Sequence, residues 1–144
     1  MSQNPISLPD PQTYTLLFSN THISIFHNKD HNWLYCRWEG KRSLVGFEDG
    51  SARILHFLKE TGVHKMILDS STYQGETLDE IIAGGTEFAR QLADAGLEYM
   101  AWIYGDNSLA RSTADEILAR EKTEVVVLNF DNVRLAEIWL KSLN

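Results

Sequence analysis

Asp69-Ser-Ser-Thr72 places a carboxylate and three hydroxyls side by side. Such a group can orient a ligand, satisfy neighbouring backbone N–H groups, or offer a serine to a kinase. Phosphorylation would add nearly two negative charges and three strong acceptor oxygens. The flanking residues say where the group sits. Met66-Ile-Leu68 is an uninterrupted apolar run that suits a strand buried on both faces. Beyond the hydroxyls, Leu78, Ile81, Ile82, Gly85, Phe88, Ala89 and Leu92 recur at helical spacing. The order is strand, polar loop, helix. In α/β domains the loop at the carboxyl end of a strand is where ligands usually sit, because the next helix aims its free N–H groups there.

Catalysis would need a base or a second nucleophile at a defined spacing. The chain has no Gly-x-Ser-x-Gly elbow, His-Glu-x-x-His helix, Walker loop or dinucleotide fingerprint. The residue pattern therefore favours binding over chemistry, and a hydrolase or transferase built on Asp69 and Ser71 keeps only the support of the loop's position. His22, His27 and His31 match no zinc spacing. His22 and His27, an odd number of residues apart, would face opposite sides of an unbroken strand. No metal or cofactor is implied. Cys36 is the single cysteine, lies in an aromatic and apolar stretch, and reads as a buried structural thiol.

The elements that must position the loop follow from periodicity. Tyr14–Phe18 and His22–Phe26, joined by Ser19-Asn-Thr21, read as a hairpin, and Trp33–Trp38 as a third antiparallel strand. The period then lengthens. Leu44, Phe47, Ile54, Leu55 and Leu58 share a helical face, with Ser43 as N-cap and Gly62 just past the last turn. Gly46 and Gly50 weaken this helix unless its backbone packs closely there. Thr77 and Glu80 have capping-box spacing for the next helix, and Gly96 ends it. Glu98–Tyr104 is an aromatic strand closed by Gly105-Asp-Asn107, Leu109–Leu118 a shorter helix, and Glu124–Phe130 a strand. Asp131 can cap a last helix carrying Val133, Ala136, Trp139, Leu140 and Leu143 on one face. The expected fold is α/β with a mixed sheet, antiparallel N-terminal strands followed by three βα crossovers, in the order βββαβαβαβα.

At 144 residues the chain is one domain in size, expected over 14–144 behind a flexible, proline-bearing tail at 1–13. A net charge of −7 is a poor match to nucleic acid or to an anionic membrane surface. No apolar run reaches the length of a membrane span, and the tail lacks the features of a signal peptide, so a cytoplasmic protein is expected.

The element order and the phrase Met66-Ile-Leu-Asp-Ser-Ser71 resemble the STAS domain, shared by sulfate transporters and anti-sigma-factor antagonists. Trp38-Glu-Gly40, Leu58-Lys-Glu-Thr-Gly62 and the finish from Phe130 to Leu143 look like small stand-alone bacterial STAS/SEC14-like proteins. The resemblance implies a regulatory module that binds a protein partner, and a kinase that phosphorylates the second serine of the motif, here Ser71. The chain departs from the family after that serine, where Thr72-Tyr-Gln-Gly-Glu76 precedes the cap at Thr77. The functional edge is then Asp69, Ser70, Ser71, Thr72 and Thr77. A second expectation is a lipid or other small apolar ligand held between helices and sheet, as in SEC14-like proteins. Its candidate pocket residues are Trp102, Tyr104, Gly84 and Gly85. Trp33, Tyr35, Trp38, Tyr99 and Trp139 add to an aromatic set that leaves room for a cavity or a homodimer patch.

Overall fold

The computed structural model describes residues 9–75, 79–120 and 124–143. The hairpin forms from β1 (Tyr14–Ser19) and β2 (Ile23–Asn28), with a bulge between Leu16 and Phe18. Its turn is held by Asn20, whose Oδ1 accepts from the backbone N–H of His22 at 2.8 Å and of Ile23 at 3.0 Å. Asn28 repeats the device at the next turn, accepting from Asp30 and His31, and β3 (Trp33–Trp38) returns antiparallel to β2.

From β3 onward each strand is reached through a helix. α1 (Leu44–Thr61) leads to β4 (Lys65–Asp69), α2 (Asp79–Asp94) to β5 (Tyr99–Ile103), and α3 (Ser108–Arg120) to β6 (Val126–Phe130), before α4 (Val133–Lys141) closes the chain. The sheet order is β1-β2-β3-β4-β5-β6, with the last three pairings parallel. Right-handed crossovers that always advance in the same direction put their helices on one face. α1, α2 and α3 accordingly share a core with Leu34, Cys36, Met66, Leu68, Met100 and Trp102, whereas α4 covers Ile67, Ala101 and Ile103 on the opposite face. The mixed sheet, the element order and the three crossovers are those expected from the sequence.

Several local expectations meet the structure directly. Ser43 Oγ accepts from Gly46 N, and Gly62 ends α1 at φ 68°. A Cβ on Gly50 would run into the ring of Trp38, so the glycine lets α1 lie close against β3. Asp131 is not the cap of α4. Asn132 is, in extended conformation at φ −152°, with Oδ1 accepting from Leu135 N at 3.0 Å. Either residue type can cap, and the extended backbone falls on the second. The aromatic set does not gather in one place either. The pleat sends Trp38, Trp102 and Tyr104 toward α1–α3 and Trp33, Tyr35 and Tyr99 toward α4, which itself carries Trp139.

Candidate functional site

Asp69 is the last residue of β4, opposite Arg37 of β3 and Ile103 of β5, and is only 5% exposed. A buried carboxylate is tolerable when its oxygens are hydrogen-bonded. Tyr35 Oη donates to Oδ2 at 2.6 Å, while Ser71 donates to Oδ1 twice, from its backbone N at 3.0 Å and from Oγ at 2.6 Å. Three donors on one carboxylate fix the start of the loop. Burial, and then the Asp69 charge, drive the Tyr35 pKa well above its ordinary range. The nearby Arg37 guanidinium, 5.5 Å from the Tyr35 ring centroid, opposes them.

Ser70 is turned the other way. Its Oγ accepts from Trp102 Nε1 at 3.2 Å inside the α1–α3 core, and its backbone N donates to Ile103 O at 2.8 Å. Tyr73 N donates to Ser70 O at 3.2 Å, making a turn of Ser70–Tyr73. Asn107 clamps that turn from the neighbouring loop. Its Nδ2 donates to Ser70 O at 3.2 Å and to Tyr73 O at 2.6 Å, while Oδ1 caps α3 by accepting from Ala110 N. Thr72 Oγ1 donates to Trp38 O at 2.9 Å. Farther on, Gln74 N donates to Gly40 O, Arg42 N to Gln74 O, and Arg42 Nη1 to Gly75 O at 2.7 Å.

The loop is thus pinned to the ends of β3, β4 and β5 by side chains from each. Ser71 and Thr72 are half-buried and Ser70 is buried, so Ser71 is the better presented of the two serines. Its Cβ lies against Gly105, a glycine at φ 58° whose own Cβ would come within 3.3 Å. Asp69, Ser70, Ser71 and Thr72 are brought together, whereas Thr77 lies outside the described residues.

Between the helices and the sheet is a cavity of ≈ 60 Å³. Trp102 and Gly85 line it, together with Phe47, Phe88 and Ile117. Gly84 and Tyr104 are not part of its wall. Gly84 sits where a Cβ would meet Phe47 at 2.7 Å, and a Cβ on Gly85 would meet Ile117, so the pair lets α2 pack tightly between α1 and α3. Tyr104 Oη donates to Asn129 Oδ1 at 2.7 Å.

No family model matches the chain, and no curated protein matches it. Among solved structures, it is similar to the anti-sigma-factor antagonist SpoIIAA in its unphosphorylated form. The TM-score is 0.49 at 10% identity, over 91% of this chain and 98% of that one. The likeness concerns the fold alone.

Three residues of the site escaped the sequence reading. Asn107 had a signal, since it stands at the end of Gly105-Asp-Asn107 just before a helical pattern, where a cap belongs. Tyr35 could be paired with Asp69 only by knowing the strand register. Arg42 had no signal, because a basic residue after a strand normally reads as solvated.

Proposed function

We propose that the chain is a non-enzymatic STAS-like module that binds a regulatory protein through the Asp69–Gly75 loop and is switched by phosphorylation of Ser71. The observation that carries this reading is the Ser71 hydroxyl, half-buried at the sheet's carboxyl end and donating to the buried Asp69 carboxylate at 2.6 Å. The sequence resemblance assigns the phosphoacceptor to the same serine.

The geometry supplies a mechanism. A phosphate on Ser71 removes the hydroxyl donor and sets a dianion against Asp69. Two unit charges about 4 Å apart repel by roughly 4 kcal/mol at an effective dielectric near 20. That repulsion adds to the ~1.5–3 kcal/mol of the charge-assisted bond being lost, and both drive the phosphorylated residue away from Asp69. The modified surface then differs both in charge and in backbone path. To test this, the kinase-treated chain, Ser71→Ala and Ser71→Glu are compared for binding to partners captured from the source cell. Binding should survive in Ser71→Ala and fall at least tenfold with the phosphate. Equal binding by the phosphorylated and unmodified chains would refute the switch.

The cavity favours a second reading, an apolar ligand held between helices and sheet. It does not depend on Ser71, and the two can coexist in one protein.

A further inference from the structure

α4 has two flanks of opposite character. Arg134, Glu137 and Lys141 line a cleft with Asn28 and Tyr14 on the side of β1, where Tyr14 Oη donates to Glu137. On the other flank the Trp139 ring packs against Tyr99 of β5 and Phe130 of β6. Helical spacing puts Leu135 on the flank of Trp139, with Ile138 beside it. β6 continues this surface. Val126 and Leu128 share the strand face of Phe130, which looks toward α4, but α4 covers β4 and β5 and leaves them open. Val126, Leu128, Leu135 and Ile138 are each between 43% and 56% exposed, and they make up four of the seven large apolar side chains exposed among the described residues. The charged side chains of α4 all lie on its other flank and β6 has none, so the patch is uncharged as well as apolar.

The strand beside the patch is a sheet edge. β6 ends the strand order and pairs with β5 on one side alone. Val126 N donates to Glu98 O, toward β5, and alternation then turns the N–H and C=O groups of Val127 and Asn129 outward. Such an edge is a template for another strand, and folded chains protect it with charges, proline or a bulge. β1, at the other end of the sheet, has a bulge between Leu16 and Phe18, and Arg53 Cζ lies 4.0 Å from the Phe18 ring centroid. Val126-Val-Leu-Asn-Phe130 carries no such protection, being regular, uncharged and high in β-propensity.

We infer that two copies of this chain join through their β6 edges, antiparallel about a two-fold axis at Leu128, into a dimer with one continuous sheet. Symmetry, charge and area each fit a second copy. Pairing the strand with itself about its midpoint sets Val126 against Phe130 of the second copy and Leu128 against Leu128, so every cross-strand pair on the α4 face is apolar. The same register opposes Val127 and Asn129, whose outward backbone groups can then exchange hydrogen bonds. Because α4 stands over β4 and β5, it leaves room at the axis for Leu135 and Ile138 from both copies. Two chains of net charge −7 repel wherever charged faces meet, and this face presents no charge. On the opposite face of the edge, α3 sets Arg111 and Asp115 near Tyr104, one of each sign. An exposed apolar patch of about 300–600 Å² marks an interaction site, and the paired backbone raises the buried area toward the roughly 800 Å² per partner of a stable complex. Closing this edge leaves the two bulged β1 strands as the ends of the joined sheet. The interface is separate from the Asp69–Gly75 loop and stands or falls independently of the phospho-switch.

The test is sedimentation velocity on the full chain from micromolar to submillimolar concentration, with circular dichroism to verify that each variant folds. The unmodified chain should sediment as a dimer. Leu128→Lys sets two like charges opposite each other and should weaken association by about tenfold or more. Ile138→Glu should do the same and keeps the test decisive if Leu128→Lys does not fold. Leu16→Lys, on the β1 edge, should leave the dimer intact. Under mild oxidation Leu128→Cys should give a disulfide-linked dimer, because antiparallel residues at a non-hydrogen-bonded pair hold their Cα atoms about 4.5 Å apart. Val126→Cys, displaced from the axis, should not cross-link, and the native Cys36 is buried. A monomer at every concentration would overturn the dimer. So would assemblies larger than two copies, or a dimer that Leu128→Lys leaves intact or Leu16→Lys breaks. Cross-linking through Val126→Cys in place of Leu128→Cys would overturn the register.

Discussion

Removing the Tyr35 hydroxyl isolates the contact that holds the Asp69–Gly75 loop in place. In Tyr35→Phe the ring keeps its packing against Phe26 and Tyr14, but Asp69 Oδ2 loses a donor at 2.6 Å. A hydrogen bond to a charged group contributes about 1.5–3 kcal/mol, so a loss near 2 kcal/mol is expected. Asp69→Ala removes the acceptor of all three bonds and strands the Tyr35 hydroxyl, for a loss of roughly 3–4 kcal/mol. The double variant should lose less than the sum of the singles, with a coupling of about 1.5–2 kcal/mol. Urea unfolding of the four proteins reads these values directly, provided the slope m is unchanged. In thermal melts, Tyr35→Phe should lower Tm by about 6–8 °C for a chain of this size. A coupling below about 0.5 kcal/mol would show that Tyr35 and Asp69 do not act together, and the pinned loop would lose its anchor.

Other consequences follow from the same contacts. Ser51 Oγ is buried in α1 with no hydrogen-bond partner among the described residues, so Ser51→Ala removes an unsatisfied group and improves helix propensity; it should stabilise by about 1 kcal/mol in urea unfolding. Gly50→Ala should do the opposite. Its Cβ meets the Trp38 ring, which is stacked between Phe47 and Tyr73 with centroids 5.8 and 5.3 Å away, and a loss of about 1–3 kcal/mol is expected from the same assay. Alkaline pH should unfold the chain cooperatively. Burial raises the pKa values of Tyr14, Tyr35, Tyr73 and Tyr104, that of Tyr73 from 10.0 to about 12. A proton held more tightly in the folded chain stabilises it fully below the unfolded pKa near 10, and that stabilisation is lost as pH rises toward the folded value. Each such tyrosine costs about 1.4 kcal/mol per pH unit in this window. Absorbance at 295 nm and circular dichroism should therefore change together; phenolate appearing without loss of structure would contradict the burial.

Much of the path of the chain was legible because each βα unit carries its own signal. The apolar run of Met66–Leu68 stops at an acid, helical spacing starts after the polar residues, and this alone places Asp69–Thr72 at the sheet's carboxyl end. What could not be read depends on register and on pleat. Tyr35 and Asp69 lie 34 residues apart, and only parallel pairing of β3 with β4, at Arg37↔Asp69, brings them into contact. The two serines look equivalent in sequence, yet Ser70 faces Trp102 in one layer while Ser71 folds back onto Asp69 in the other. The aromatics misled for the same reason, since alternate strand residues face opposite cores. Gly84 and Gly85 weaken a helix when read in isolation, and only the positions of Phe47 and Ile117 show that they permit close helix packing. The cap of α4 moved from Asp131 to Asn132 because both residue types can cap, and the backbone dihedral chose between them.

The most direct test of the loop as a phospho-switch is site mapping by tandem mass spectrometry on the chain purified from its native cells. The structure separates the two serines sharply enough to make the outcome specific. Phosphate is expected on Ser71, half-buried and hydrogen-bonded at the loop surface, and not on Ser70, which is 5% exposed and holds the Trp102 indole. Finding Ser71 unmodified under every growth condition, or finding the phosphate on Ser70 instead, would contradict it.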